Sequence, residues 1–214
     1  MNSEYIIISV IAYLVGSIPF AYLIVKNFVG KDIRDLGSGN VGAMNTYEST
    51  GNKFYGILVL ILDFIKAFAF VYLVDLKFDD SMLIRLASAF LVLGHNYSIF
   101  LGFSGGRGLA PAAGAISYLN PFGVLIWILM FYTSKAVINK NIHISITVGL
   151  IGANIMLWAS PTEVLLVFQQ YQFPDINEFR TLYILITIFI ISKLAKPIRE
   201  HLGIEDDFDN KKID

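Results

Sequence analysis

Two glycine-rich stretches of this chain gather histidine, serine, asparagine and arginine, and the chemistry they suit is anion binding with a proton carrier beside it. Residues 94–108 read G-H-N-Y-S-I-F-L-G-F-S-G-G-R-G, and so hold His95, Ser98, Gly105, Gly106, Arg107 and Gly108. Glycines without a Cβ let backbone N–H groups converge on a ligand, and a helix starting after them aims its positive end at the same point. His95 is the histidine next to such a stretch, which makes it the acid/base candidate, because an imidazole titrates near neutral pH without help. Residues 35–45 set Ser38, Asn40 and Asn45 among Gly37, Gly39 and Gly42. Ser38 reads equally as an anion-binding hydroxyl or a turn former, and His95 as a catalytic group or a hydrogen bonder at a helix end.

The elements that must position these residues are membrane helices. Of the 214 residues 56% are hydrophobic and 15% charged, and the mean hydropathy is +0.64; a soluble domain is less apolar and more charged. A net charge of −1 argues against a nucleic-acid partner. The chain has no cysteine, which excludes disulfides, thiolate nucleophiles and cysteine zinc sites, and its three histidines are not spaced as metal ligands.

Apolar runs predict an all-α bundle of seven helices, with spans at 6–25, 54–74, 82–103, 122–137, 142–158 and 182–194 with its flanks. The run Leu109–Leu119, about 16 Å as a helix, is too short to cross alone and is expected as a Gly/Ala-rich helix inside the bundle. Gly16-Ser17-Ile18-Pro19 should bend the first span rather than end it. Asp63 and Lys66, at i and i+3 in the second, share a helix face and are expected as a structural ion pair turned to the bundle. Asn139-Lys140-Asn141 reads as a turn, and residues 160–179 as an interfacial helix and loop.

Seven crossings with the N-terminus outside leave only Lys77, Arg85 and Arg180 of the 16 Lys and Arg residues on the outer side, with Lys66 inside a span. The others, Lys211 and Lys212 included, share the side of both glycine stretches, which the positive-inside rule makes the cytoplasm. The first span carries Glu4 rather than a basic flank and is expected to stay attached. One membrane domain over 1–198 and a charged cytoplasmic tail over 199–214 follow from this partition. Glycine-rich turns between helices have a similar composition; what favours one pocket is that both stretches face the same side.

Four blocks of sequence resemble the acyl-phosphate:glycerol-3-phosphate acyltransferase family of prokaryotic membranes. They are G-S-I-P-F in the first span, D-I-R-x-L-G-S-G-N-V-G-A-x-N at 32–45, D-x-x-K at Asp63 and Lys66, and G-H-x-x-S-x-F-L-x-F-x-G-G-R-G at 94–108. The resemblance implies transfer of an acyl group from acyl phosphate to glycerol 3-phosphate at the surface of a lipid bilayer, with no metal or organic cofactor and by a monomer. It also implies that Ser38 and its block belong to the active site, that His95 lies beside it, and that Gly105, Gly106, Arg107 and Gly108 hold glycerol phosphate.

Several positions depart from the family's usual pattern. Glu48 stands where the family has Arg, Met44 and Pro111 where it has Thr, Arg107 where it has Lys, and His143 where it has Ser if Ser145 matches a second family serine. The family's last motif is matched only by Arg199, Gly203 and Glu205, with Lys193 and Lys196 in its His and Asn places. Glu48 replaces attraction by repulsion beside a phosphate pocket, while the two lysines restore positive charge from another side. These changes bear on the acceptor: another phosphorylated polyol is the alternative substrate, and a non-catalytic anion-binding protein or permease the alternative class.

Overall fold

The computed structural model describes residues 3–137 and 141–204; Asn139, Lys140 and the tail from Glu205, with Lys211 and Lys212, lie outside them. The described residues form helices α1 (Ser3–Ser17), α2 (Phe20–Val29), α3 (Ala43–Thr50), α4 (Lys53–Phe78), α5 (Ser81–Asn96), α6 (Leu109–Leu119), α7 (Pro121–Val137), α8 (Ile142–Ala159), α9 (Thr162–Phe168) and α10 (Ile176–Leu202), and no strand. Five segments are long and apolar enough to cross a bilayer: Ser3–Val29, Lys53–Phe78, Ser81–Leu101, Ile142–Ala159 and Ile176–Leu202. The expected all-α membrane fold is therefore present.

Two expectations about the elements need correction. The bend in the first span is a full break, since Ile18 and Pro19 belong to neither α1 nor α2. Pro19 brings no N–H to the backbone ladder, and the carbonyls at the break find side-chain partners on other elements, described below. α7 covers the expected run 122–137 with 17 described residues, about 26 Å of helix. α10 runs well past 182–194 at both ends, because Asp175 caps its start by accepting from the Asn177 N–H and Gly203, at φ +67°, ends it beyond Pro197. Arg199 and Glu200 are still helical.

Large apolar side chains such as Ile6, Val10, Ile57, Ile61, Leu129 and Ile155 stay exposed on the outer surfaces of their helices, as lipid-facing positions do. Inward packing relies on small residues, which let backbones approach where lipid supplies no hydrophobic drive between helices. The α1–α5 pair shows this best. A Cβ on Gly94 would lie 2.1 Å from the Tyr13 carbonyl oxygen, and one on Gly16 would lie 2.0 Å from that of Leu91. The Tyr13 hydroxyl donates to the Tyr97 carbonyl at 2.6 Å and Ser17 Oγ to that of Gly94 at 3.3 Å, which fixes the register of the pair. That register places His95 against the break in the first span.

Candidate active site

The first glycine loop is pinned by its apolar residues. Ile33 and Val41 are buried with Val25, Val59 and Leu101 in a small cluster beneath the loop. Asn45, in the first turn of α3, organises the polar backbone above it. Its Nδ2 donates to the carbonyls of Ile33, Leu36 and Asn40 at 3.3, 3.0 and 3.0 Å, and its Oδ1 accepts from Ser38 N at 3.0 Å and Ser49 Oγ at 3.1 Å. Gly37 is required here: at φ +53°, a Cβ would fall 2.4 Å from Asn45 Oδ1. Asn45, expected as a substrate ligand, thus spends both ends of its amide on holding Ser38, Gly39 and Asn40 in place. Beside the loop, Arg34 grips Asp32 through Nη2 at 2.7 Å and holds that carboxyl below the usual carboxylate range.

The second loop folds back onto His95. Gly106 N donates to the His95 carbonyl at 3.0 Å, and a Cβ on Gly106 would come within 2.2 Å of His95 Nε2. Gly108 then starts α6 at φ +83°. Neither Gly42, which starts α3, nor Gly108 supplies a side-chain cap, so two helix starts present first-turn N–H groups that such caps would otherwise occupy.

Two cavities meet between these loops. The deeper one, ≈ 430 Å³, is bordered by Ser38, Asn40, Gly42, Asn45, Glu48, Asp63, His95, Arg107, Gly108 and His143, and continues along Leu60, Trp127, Ile142 and Ile146. The other, ≈ 410 Å³, is bordered by Ser38, Gly39, Asn40, Gly105, Arg107, Lys193 and Lys196, with Tyr97, Ser104, Ser192 and Glu200. Ser38, Asn40 and Arg107 belong to both. Burial pushes the Arg107 guanidinium down from its usual range, and the negative charge of Glu48 acts in the opposite direction; an arginine keeps its charge through such shifts.

Behind the deeper cavity lies a buried cluster. Asp63, Lys66 and His95 are 2%, 9% and 8% exposed. Lys66 Nζ lies 2.7 Å from Asp63 Oδ1, 3.2 Å from His95 Nδ1, and 3.0 Å from each of the Gly16 and Ile18 carbonyl oxygens. Asp63 Oδ1 is 3.4 Å from His95 Nδ1. The ion pair expected from the i, i+3 spacing is present, but Asp63 also borders the cavity, a placement the sequence did not reveal because His95 reaches it from another helix. Ser98 Oγ donates to the Ser17 carbonyl at 2.6 Å. Ser98 therefore helps to close the break in the first span and borders neither cavity; Gly37 and Gly106 likewise shape the walls from behind.

The sequence reading also passed over Tyr97, Trp127 and Ser192. His143 carried a signal, since it follows Asn141, which caps α8 by accepting from the His143 and Ile144 N–H groups, on the same side as the glycine loops. Lys193 and Lys196 reach the second cavity from the last turns of α10, with Lys193 Nζ over the Tyr97 ring at 4.7 Å.

The family model for glycerol-3-phosphate acyltransferase matches residues 6–202. The glycerol-3-phosphate acyltransferase of Pelagibacter ubique is 43% identical over 136 residues, 62% of this chain and 70% of that one. That of Aquifex aeolicus is 36% identical over 183 residues, 80% of this chain and 93% of that one. The crystal structure of PlsY (YgiH), an integral membrane glycerol 3-phosphate acyltransferase, in its glycerol 3-phosphate form superposes with a TM-score of 0.75 at 30% identity over 95% of both chains. Its lysophosphatidic acid form gives 0.73 at 28%, again over 95% of both. With the match running through both loops, the buried cluster and α10, this chain belongs to the glycerol-3-phosphate acyltransferase family.

Proposed function

We propose that the chain moves a fatty acyl group from acyl phosphate to glycerol 3-phosphate at the two joined cavities, giving 1-acylglycerol 3-phosphate and inorganic phosphate. The observation that carries this reading is the sharing of Ser38, Asn40 and Arg107 between a cavity edged by Lys193 and Lys196 and one that runs from His95 to apolar walls. A small phosphorylated alcohol suits the first, and an acyl group the second. The acceptor hydroxyl attacks the acyl carbonyl, forming a C–O bond, and the bond to the phosphate oxygen breaks. The hydroxyl proton passes to His95 or to a phosphate oxygen of the substrates, while N–H groups stabilise the anionic carbonyl oxygen. Phosphate leaves as an already stable anion, so the scheme uses no metal or organic cofactor. Every group in it comes from one chain, which is the basis for a monomeric enzyme.

Coenzyme A would demand a nucleotide-binding surface, whereas the loops between these helices are short. Turnover of purified protein with acyl phosphate and glycerol 3-phosphate, with inorganic phosphate inhibiting as product, is the expected result. Robust turnover with acyl-CoA alone would overturn the donor. Glu48 in the deeper cavity favours, as a second reading, a polyol phosphate with more hydroxyls for that carboxylate to accept from; a panel of polyol phosphates decides between the two acceptors.

The reading also sets seven crossings in the cell membrane, the N-terminus outside and the site facing the cytoplasm. The chain has no cysteine, so Lys53→Cys and Lys77→Cys, at opposite ends of α4, report the two sides. An impermeant maleimide applied to intact cells should label only Lys77→Cys; labelling of Lys53→Cys instead would reverse the orientation.

A further inference from the structure

We propose that Lys66 is a positioning residue for this reaction: its ammonium donates to Nδ1 of His95 and holds the imidazole proton on Nε2, so that the ring offers the cavity a hydrogen-bond donor. The proposal rests on the acyl transfer inferred above, and it assigns work to a buried cation which that scheme leaves idle.

An ammonium has three hydrogens and no acceptor site. Two of those of Lys66 go to the Gly16 and Ile18 carbonyl oxygens, each at 3.0 Å, and carbonyls can only accept. The third lies toward His95 Nδ1 at 3.2 Å. Asp63 Oδ1 is closer, at 2.7 Å, and supplies the counter-charge of the ion pair. Its separation from Nδ1, 3.4 Å, is longer than the 3.2 Å between Nδ1 and the Lys66 ammonium. A proton on Nδ1 would therefore point an N–H at a cation and gain only a stretched contact with Asp63. A neutral imidazole carries one ring proton, and with Nδ1 accepting it resides on Nε2.

Nε2 lies close to the Gly106 backbone, where a Cβ would approach to 2.2 Å, on a ring that borders the deeper cavity. An N–H there can donate to the carbonyl oxygen as it gains charge or to the departing phosphate. His95 then enters the reaction as a donor, which leaves the substrates' phosphate oxygens to receive the hydroxyl proton. The two carbonyls that hold Lys66 belong to the break in the first span, so that break sets the direction of the catalytic histidine.

The test is ¹⁵N NMR of the purified full chain carrying ¹⁵N-labelled histidine rings, at a pH where the rings are neutral. His143→Gln and His201→Gln identify the His95 signals. The expected spectrum has His95 protonated at Nε2 and bare at Nδ1. In Lys66→Met the proton should move to Nδ1, and kcat should fall on the order of 10²-fold while KM for glycerol 3-phosphate stays within about twofold. A wild-type ring protonated at Nδ1 overturns the proposal, as does a folded Lys66→Met protein with an unchanged tautomer. Should Lys66→Met fail to fold, the wild-type spectrum still decides. The spectrum needs no substrate: protein with the expected tautomer but no acyl transfer to glycerol 3-phosphate would overturn the reaction and not the role of Lys66.

Discussion

The two cavities share three residues and handle charge in opposite ways. In the deeper one the ionic groups are Asp63, Glu48 and the shared Arg107, and Asp63 already has its counter-charge in Lys66 behind the wall. The second places Lys193 and Lys196 beside the same arginine, and among the described residues the salt bridge that offsets them is the loose 3.9 Å contact of Lys196 with Glu200. In the proposed reaction the phosphate of the acceptor is drawn to the second cavity, while the apolar acyl chain takes the walls of the first. The comparison teaches that the ion pair closed inside the bundle fixes geometry, and that the cations at its edge stay available to an anion.

The sharpest way to break this contrast is to unpair the buried side. Asp63→Ala leaves the Lys66 ammonium without its counter-charge, and a loss of roughly 3–5 kcal/mol of stability is expected, read as a lowered thermal midpoint in detergent. Arg107→Ala removes the cation that both cavities use, so kcat/KM should fall on the order of a hundredfold, about 2.7 kcal/mol of transition-state stabilisation. A tenfold smaller loss would mean that the cavities do not work together. Lys193→Ala with Lys196→Ala acts on one side only: KM for the phosphorylated acceptor should rise roughly tenfold with kcat retained, since binding common to ground and transition states is lost. If kcat falls instead, these lysines touch the reacting atoms. Glu48→Gln should give the smallest change, a lowering of acceptor KM and of the inhibition constant for phosphate by about two- to fivefold that fades as salt rises.

Local features of the site were legible in the sequence because they depend on neighbours in the chain. Glycine at 37 and 108 announced backbone that other residues avoid, and both sites have positive φ. Asp63 and Lys66 were paired by helix spacing alone. The missing parts are those that need a distant partner. Nothing local says that Asn45 would bond Ile33, twelve residues back, or that Ser98 would reach the Ser17 carbonyl, so these structural bonds went unread. The second cavity depends on how α10 lies against the glycine loops, through contacts such as Asn96 Nδ2 to the Phe189 carbonyl at 2.8 Å. The fold was easier to read, since apolar length alone locates membrane helices; the ends of α10 were missed because their signals, Asp175 and Gly203, are polar residues outside the apolar run.

The break between α1 and α2 also imposes an order on the making of the protein. An unsatisfied carbonyl in hydrocarbon costs on the order of several kcal/mol, and the partners of the Gly16, Ile18 and Ser17 carbonyls lie 50, 48 and 81 residues further along the chain. During synthesis the first segment is therefore expected to wait, held by the insertion machinery or by water at the membrane surface, until α4 and then Ser98, just past α5, arrive to complete it. A nascent chain arrested after residue 52 should be extracted from membranes by alkaline carbonate, whereas one arrested after residue 105 should resist; equal resistance of the two would show that the first segment settles in lipid without its later partners.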